Sequence, residues 1–184
     1  MAETTSDERD HTPEETEPDP EHIMQVTTGF WGTKVLGAAV DLELFTVIAD
    51  GGLQASEIEQ ELGLHPRATR DFLDTLASLG FLERDGNGDD PRYRNTPETA
   101  SFLNKDDPRY IGGAIKIFNQ QLYDVWADLE ESLQTGEPQG VIDETGEPLW
   151  EEMYEDPKQL EAFAEGMSGL SKGNFVAFAE QFDF

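Results

Sequence analysis

The sequence predicts a mainly α fold that contains a winged helix-turn-helix with a small β-hairpin wing, flanked by long helices. Three observations lead to this prediction. Apolar residues recur near the 3.6-residue period of an α-helix over three long segments, 22–50, 111–138 and 157–182. Two short helical patterns, joined by a turn, follow the first of these segments. Two short strand patterns around a turn-rich tip come next, which completes the helix, turn, helix and hairpin order of a winged helix.

The charge of the chain bears on its partners. It carries 40 Asp and Glu against 12 Lys and Arg, a formal net charge of −28 over 184 residues. A protein that binds nucleic acid neutralises phosphates with Lys and Arg, so this balance predicts no nucleic-acid partner. Solubility alone needs a net charge of magnitude roughly 2 to 8 in a small domain. The excess favours a halophilic protein, because molar salt screens like charges over a few ångströms.

Cysteine usage and hydropathy bear on the compartment. The sequence has no Cys, which excludes disulfides and thiolate chemistry and fits a reducing cytoplasm. No segment approaches the roughly 18 uninterrupted apolar residues of a membrane helix, and the N-terminus is acidic where a signal peptide would be basic. We therefore expect a soluble, cytoplasmic protein with no membrane partner.

The chain divides into three regions. Residues 1–21 hold nine acidic residues and almost nothing apolar, so burial cannot offset the lost chain entropy and a disordered acidic tail is expected. Residues 22–110 are expected to form the helical dimerisation and winged-helix domain. Residues 111–184 are expected to form a second helical segment.

The segment 22–50 is predicted to be one long helix, or two with a joint near Gly29 to Gly32. Asp50-Gly51-Gly52 is expected to end it. The apolar stripe consists of Ile23, Val26, Phe30, Val35, Leu36, Ala39, Val40 and Leu44.

Capping residues define the predicted helix-turn-helix. Ser56 is the expected N-cap of a short helix, with Glu59 completing a capping box and Gly63 ending the helix. His65 and Pro66 start a second helix, in which His65 is expected to cap or pack rather than to act in catalysis. The predicted apolar face of that second helix is Ala68, Phe72, Leu73, Leu76 and Leu79, and Gly80 ends it.

The predicted wing comprises two short strands, Phe81-Leu82 and Tyr93-Arg94, around an acidic tip, "DGNGDD". Arg67 and Arg70 are the pair on the second helix that could meet a DNA groove, and Asp71 and Asp74 lie close to them in the sequence. Such charges on a solvated helix face are usually paired or idle, and the tip would repel phosphates. The motif is therefore expected to serve as a scaffold.

The segment "IGGAIKIFNQQLYDVWADLEESLQTGEP" is predicted to be a helix that Gly136 ends, and a last helix is predicted from Pro157 to about Phe182. Their apolar and aromatic side chains exceed what a core of under 60 residues needs. Such stripes are buried against another chain, another domain or a flat ligand. Packing within a helical homodimer is the favoured interpretation. The expected apolar side of the first of these helices is Ile115, Phe118, Leu122, Val125, Trp126, Leu129 and Leu133.

Motifs with a strong catalytic signature are missing from the sequence. It contains no P-loop, no G-x-G-x-x-G and no H-E-x-x-H, and it has no Cys for a metal knuckle. The residues alone therefore predict no catalytic, cofactor-binding or metal-binding group.

The combination of segments resembles a known family. The stretches "GFWGTKVLGAAVDLELFTVIADGG", "ASEIEQELGLHPRATRDFLDTLASLGFLE", "YRNTPETASFL" and "LEAFAEGMSGLSKGNFVAFAEQFDF" resemble, in this order, the N-terminal dimerisation and winged-helix region of S-adenosylmethionine-dependent small-molecule O-methyltransferases. The resemblance covers roughly residues 22–184, and it implies that residues 111–184 form a helical dimerisation and substrate-lid segment leading to an absent cofactor-binding domain. It implies an intertwined homodimer, a winged helix that does not bind DNA, and methyl transfer to a hydroxyl of an aromatic or polyketide-like acceptor.

The resemblance also implies site residues. The F-x-x-x-M pattern on the last helix places Phe163 and Met167 towards the acceptor. Trp150, in the preceding loop, is the nearest match to an aromatic residue that does likewise. Phe30 and Trp31 correspond to residues that reach the pocket of the partner subunit.

The resemblance has one major departure. Where the family continues into a strand and a Gly-rich loop for S-adenosylmethionine, and later a catalytic His, this chain stops at "EQFDF". We therefore expect a fragment that lacks the cofactor-binding domain and neither binds S-adenosylmethionine nor transfers a methyl group alone. The alternatives are a winged-helix transcriptional regulator and an acidic dimer module without activity.

Overall fold

The computed structural model describes residues 18–137, 154 and 156–182. This part of the chain is mainly helical, with one small antiparallel sheet of three strands. The strands are β1 (Leu53–Gln54), β2 (Leu82–Asp85) and β3 (Arg92–Asn95). The first helices are α1 (Glu21–Asp41), α2 (Leu44–Val47), α3 (Ala55–Leu62), α4 (Pro66–Ser78) and α5 (Pro97–Phe102). The later ones are α6 (Gly112–Ile117), a π-turn (Phe118–Leu122), α7 (Tyr123–Val125), a 3₁₀ turn (Trp126–Asp128), α8 (Leu129–Thr135) and α9 (Pro157–Gln181).

Helix α1 is continuous through Gly29 and Gly32, so of the two predicted alternatives the chain forms one helix across these glycines, but that helix ends at Asp41 and not at Asp50. The chain bends instead after Asp41, where Glu43 takes a left-handed φ of 57° before α2 begins. This bend turns Leu44 and the rest of α2 into the core. Of the predicted acidic tail, residues 1–17 lie outside the described residues.

The predicted cap of α3 is wrong by two residues. Gln54 is the N-cap, and its backbone N–H donates to Glu57 Oε2 at 2.7 Å, completing a capping box. Gln54 is also the last residue of β1, so the helix follows the strand directly. Ser56 instead donates its hydroxyl to Asp90 Oδ2 at 2.8 Å. The predicted end of the helix is confirmed, because Gly63 has a left-handed φ of 63°.

Helix α4 begins as predicted, with His65 Nδ1 accepting the Arg67 backbone N–H at 3.2 Å. Its buried face differs from the prediction. Leu73 and Leu76 are buried together with Thr69, whereas Leu79 is exposed at the end of the helix. The face that packs inward is therefore rotated towards Thr69, whose hydroxyl donates to the His65 carbonyl oxygen.

The sheet has the order β1-β3-β2. The predicted hairpin is present, with Arg84 opposite Tyr93 in the register of β2 and β3. Strand β1 was not predicted, because two residues are too few to show alternation. It pairs Leu53 with Tyr93 and so encloses β3 between two neighbours.

The core lies between the sheet and the helices α1 to α4. Its fully buried side chains come from different elements, and Tyr93 of β3 is among them. These largest buried residues are Tyr93, Phe45, Leu44, Ile48, Ile58, Leu73 and Leu76. The core thus joins the first helical segment to the helix-turn-helix and hairpin.

The predicted helix after residue 111 is present and ends at Gly136, but it is not a regular α-helix. It passes through the π-turn and the 3₁₀ turn. Its predicted apolar side is largely exposed in one chain, including Phe118, Trp126 and Leu133, while Ala114 and Ile117 are buried. The predicted last helix corresponds to α9.

Candidate functional site

Glycines bring α9 against α6. A Cβ atom on Gly166 would lie 3.0 Å from the carbonyl oxygen of Gly113 and would overlap the side chain of Ile117. A Cβ atom on Gly169 would lie 3.2 Å from the Tyr110 carbonyl oxygen. Only residues without a side chain allow backbones to approach this closely. The spacing of Gly166 and Gly169 therefore fixes where α9 crosses α6.

This crossing positions two of the residues expected at the acceptor. Phe163 and Met167 are four residues apart on α9, which places them on one face of the helix, on either side of Gly166 in the sequence. Phe163 is half-buried, and Met167 is 45% exposed. An apolar surface of this kind suits a flat apolar ligand. Trp150 lies outside the described residues.

The other expected pair lies on α1. The rings of Phe30 and Trp31 meet edge to face, with centroids 5.7 Å apart and an interplanar angle of 65°. Both remain exposed, Phe30 at 46% and Trp31 at 61%. The structure thus gathers the expected site residues into two pairs, one on α1 and one on α9.

A polar cluster ties α1 to the π-turn, and the sequence did not reveal it. Asp41 accepts a hydrogen bond from Gln120 Nε2 at 2.8 Å and a longer one from Asn119 Nδ2 at 3.4 Å. Lys34 Nζ donates to the Asn119 carbonyl oxygen at 3.3 Å and lies 3.8 Å from the ring centroid of Tyr123. A Cβ on Gly37 would overlap the Asn119 side chain, so a glycine is needed there.

Two grooves adjoin these elements. An apolar groove of about 670 Å³ is lined by Phe118, Leu122, Tyr123, Trp126 and Ala127. A second groove, of about 740 Å³, is polar and lies between α9 and the turn before α6.

Both signs of charge line the polar groove, which includes Lys105, Tyr110, Glu165 and Lys172. The ammonium of Lys105 pairs with Glu43, and this hydrogen bond raises the pKa of Lys105 and lowers that of Glu43. Burial raises the pKa of Tyr110, which keeps its hydroxyl protonated at neutral pH. Lys105 and Tyr110 are therefore protonated, and Glu43 is ionised, near pH 7.

The cations near the hairpin are engaged within the chain. Arg84 Nε lies 2.8 Å from Asp74 Oδ1, and Arg70 Nε lies 3.7 Å from Asp74 Oδ2. Arg70 Nη2 also donates to the Gly88 carbonyl oxygen at 3.3 Å. On β3, Arg94 Nη2 lies 2.6 Å from Asp85 Oδ2. These guanidinium groups are therefore turned towards the protein's own carboxylates and carbonyls.

Metal-binding and membrane-spanning features were sought in the residues that the structure describes. No group of three or more His, Cys, Asp or Glu side chains there could hold a metal ion. No helix of that part of the chain has the length and hydropathy needed to cross a bilayer.

Comparison with known families identifies the domain. Residues 24–105 match the model of the O-methyltransferase dimerisation domain. This part of the chain belongs to that family. The match covers most of α1, the helices α2 to α5 and the three strands.

Curated relatives extend the similarity beyond the dimerisation domain. The chain is 39% identical over 154 residues to the tetracenomycin polyketide synthesis 8-O-methyl transferase TcmO of Streptomyces glaucescens, covering 84% of this chain and 43% of TcmO. It is 38% identical over 138 residues to the N,N-dimethyltransferase OxyT of Streptomyces rimosus, covering 74% of this chain and 39% of OxyT. The chain thus spans less than half the length of these methyltransferases.

Solved structures show the same fold. The crystal structure of human N-acetylserotonin methyltransferase in complex with S-adenosylmethionine superposes with a TM-score of 0.79 over 91% of this chain and 50% of that chain, at 22% identity. The mainly helical architecture with a small antiparallel sheet is therefore shared with the corresponding half of that methyltransferase.

Some signals in the sequence could have revealed the features that were missed. The Gly112-Gly113 pair and the Gly166 and Gly169 spacing mark a close helix crossing. Gly37, inside the helix α1, marks a second close approach. The π-turn has no such signal, because a π-turn differs from an α-helix in backbone hydrogen bonding and not in side-chain periodicity.

Proposed function

We propose that this chain is the dimerisation and acceptor-pocket part of an S-adenosylmethionine-dependent O-methyltransferase. Its reaction would move a methyl group to a hydroxyl of an aromatic or polyketide-like small molecule. The observation that carries the proposal is the match of residues 24–105 to the dimerisation domain, which the similarity to TcmO extends along 84% of the chain. OxyT is named as an N,N-dimethyltransferase, so the acceptor atom is the least constrained part of the proposal.

The chain's own residues would bind and orient the acceptor. In this proposal, Phe163 and Met167 form an apolar wall for a flat ring, with Trp150 adding an aromatic side from the preceding loop. The Phe30 and Trp31 pair reaches the acceptor pocket of the partner subunit in a homodimer. Phe30, Trp31 and Met167 are exposed in the single chain, as contact with an acceptor or a partner subunit requires.

Bound S-adenosylmethionine would supply the methyl group. Among the residues that the structure describes, α9 and α6 meet through glycines and apolar side chains, and the polar groove carries both signs of charge, so neither offers a cradle for the cofactor. We therefore propose that the cofactor-binding and catalytic residues belong to a part of the methyltransferase that these 184 residues do not contain. The isolated chain would then bind no S-adenosylmethionine.

The helix α3, the turn, α4 and the β2–β3 hairpin follow the winged-helix order, and we propose that this unit is a scaffold. A winged-helix transcriptional regulator remains the second candidate because of that order. The charges oppose it: Arg70 and Arg84 share the carboxylate of Asp74, and phosphate contact would have to break these pairs.

A chimera tests the proposal. The region of TcmO that aligns with this chain is replaced by this chain, and transfer of radiolabelled methyl from S-adenosylmethionine to a panel of hydroxylated aromatic compounds is measured. We expect a dimeric chimera that transfers label. A chimera that folds and binds S-adenosylmethionine but labels no acceptor would argue against the assigned role.

Single substitutions in the chimera test the acceptor wall. Met167→Ala and Phe163→Ala are expected to raise KM for the acceptor by roughly tenfold, because each removes apolar contact area. Leu133→Ala, an exposed position on α8, is the matched control. Binding of a duplex oligonucleotide by the chain, weakening steeply with salt, would favour the regulator instead.

A further inference from the structure

Three long segments of this acidic chain contain no Asp or Glu. They are residues 22–40, 108–123 and 166–179, in a sequence where 40 of 184 residues are acidic. This composition is about one acidic residue in five, so an even distribution would place several acids in each of these segments. The acids are therefore excluded from particular places rather than spread evenly.

The three acid-free segments lie side by side. Gly37 and Lys34 of the first contact Asn119 of the second, so α1 runs along α6 and the π-turn. Gly113 of the second meets Gly166 of the third at the crossing of α6 and α9. We call this arrangement of α1, α6 with the π-turn, and α9 the acid-free layer.

The acid-free layer is also where much of the exposed apolar surface lies. The large apolar side chains that it leaves exposed are Ile23, Met24, Val26, Phe30, Trp31, Phe118, Leu122, Met167, Leu170, Phe175, Val176 and Phe178. Contiguous exposed apolar surface of this kind marks an interaction site. A carboxylate buried without a counter-charge loses its hydration, so the exclusion of acids favours a layer that another apolar protein surface covers. A second copy of this chain presents such a surface, because it carries the same layer.

We infer that the acid-free layer is the face on which a second copy of this chain docks, and that ionic strength controls the docking. The inference rests on the proposed function as a dimerisation module and adds its regulation. Two chains of charge −28 repel each other, while their apolar layers attract at short range. The layer removes the carboxylates that would face each other across the interface, but not those around its rim.

Screening by salt decides the balance between the charge repulsion and the apolar attraction of the two copies. The Debye length falls from about 10 Å at 0.1 M salt to about 3 Å at 1 M. At low salt the rim carboxylates of the two copies repel each other across the interface, and at high salt this repulsion is screened. Four cations outside the exposed apolar surface, Arg84, Arg94, Lys105 and Arg109, are held by carboxylates of their own chain.

Sedimentation velocity of the full chain in 0.1 M and 2 M KCl, over a range of protein concentrations, tests the inference. We expect the dimer dissociation constant to fall by at least about tenfold at the higher salt, because the Debye length becomes shorter than the distance between rim charges. The absorbance of the Tyr and Trp residues allows the protein to be detected at low concentration.

Charge variants separate a rim effect from a general effect of salt on apolar contacts. Glu180 directly follows the acid-free part of α9, and Glu130 lies on α8, which continues the chain beyond the π-turn, so both lie near ends of the layer in sequence. The variant Glu130→Gln/Glu180→Gln is expected to dimerise several-fold more tightly than the wild type at 0.1 M KCl and to respond less to salt. The matched control, Glu61→Gln/Glu83→Gln, removes the same charge from exposed positions on α3 and β2 and is expected to behave as the wild type.

Three other outcomes would each overturn the inference, and each of them has a different result. A dimer whose dissociation constant is the same at both salt concentrations overturns the control by ionic strength and leaves the proposed function standing. Equal effects of the rim and control variants overturn the assignment to the acid-free layer. A chain that is monomeric at every salt and protein concentration overturns both the inference and the proposed dimerisation role.

Discussion

The phenolic hydroxyl of Tyr93 donates a hydrogen bond of 2.6 Å to Oδ1 of Asp74 and so ties the central strand β3 to α4. Tyr93 has no exposed surface, although its hydroxyl reaches a carboxylate at the edge of the core. Burial, assisted by the hydrogen bond to Asp74, raises the pKa of Tyr93. The hydroxyl therefore remains a donor throughout the neutral range, and Arg84 balances the charge of the carboxylate that accepts its hydrogen bond.

Replacing Tyr93 by Phe removes this donor while keeping the ring. We expect Tyr93→Phe to lower the free energy of unfolding by roughly 1 to 3 kcal/mol, because the hydrogen bond is made to a charged acceptor. Urea unfolding followed by circular dichroism measures the change. Tyr154→Phe, at an exposed position, is the control and should leave the unfolding midpoint unchanged. Equal stability of the two variants would refute a stabilising role for the bond.

Asp107 predicts a pH dependence. Its carboxylate accepts hydrogen bonds from Arg109, with Nη2 at 2.9 Å, Nε at 3.0 Å and the backbone N at 2.8 Å, which lowers the pKa of Asp107 to about 2. A carboxyl whose folded pKa is depressed contributes stability that is present above its unfolded pKa and is lost as the pH falls through the folded pKa.

The variant Asp107→Asn should therefore be less stable than the wild type at about pH 5, and the difference should shrink between about pH 4 and about pH 2. Thermal unfolding at a series of pH values measures it. Asp106→Asn removes the same charge at the exposed neighbouring position and serves as control. A stability difference for Asp107→Asn that stays constant down to about pH 2 would contradict the assignment.

The crossing of α6 and α9 depends on Gly166. In Gly166→Ala the new Cβ would lie 3.0 Å from the Gly113 carbonyl oxygen, so the helices must separate, at a cost of roughly 1 to 3 kcal/mol. Hydrogen exchange of α9 amides should rise. Gly173→Ala, later in the same helix, has nothing within 4 Å of the new Cβ and should be neutral or stabilising. The opposite ranking of these two variants would show that α9 does not pack on α6 in this way.

Periodicity and caps predicted much of the helix-turn-helix, because those signals are local. His65 and Gly63 act at the helix ends as predicted, since a cap depends on a few neighbouring residues. The cap of α3 at Gln54 was missed because it depends on strand β1, which exists only through pairing with β3. The bend at Glu43 was missed for a related reason: its left-handed backbone carries no glycine to mark it.

The candidate site was less accessible to sequence reasoning. Phe163 and Met167 were named from a family pattern, and their role as an acceptor wall stays a prediction. The cluster of Asp41, Lys34 and Asn119 joins residues about 80 positions apart, so no local pattern could reveal it. The acid-free segments are also far apart in sequence, and their shared composition becomes informative only when the structure shows that these helices are neighbours.

Trp31 offers a test that separates folding from assembly. Its side chain is 61% exposed, so it contributes little to the stability of a single chain, and Trp31→Ala should change the free energy of unfolding of the monomer by less than about 0.5 kcal/mol. A large aromatic residue at the centre of an interface usually dominates its affinity, so the dimer dissociation constant should rise by at least about tenfold. Urea unfolding of dilute protein measures the free energy of unfolding of the monomer. Light scattering at 2 M KCl measures the dimer dissociation constant.

The control is Leu79→Ala, which is also exposed but lies outside the acid-free layer and should weaken association far less. If Trp31→Ala instead destabilises the monomer and leaves association intact, the ring packs within its own chain and α1 does not serve as the docking helix.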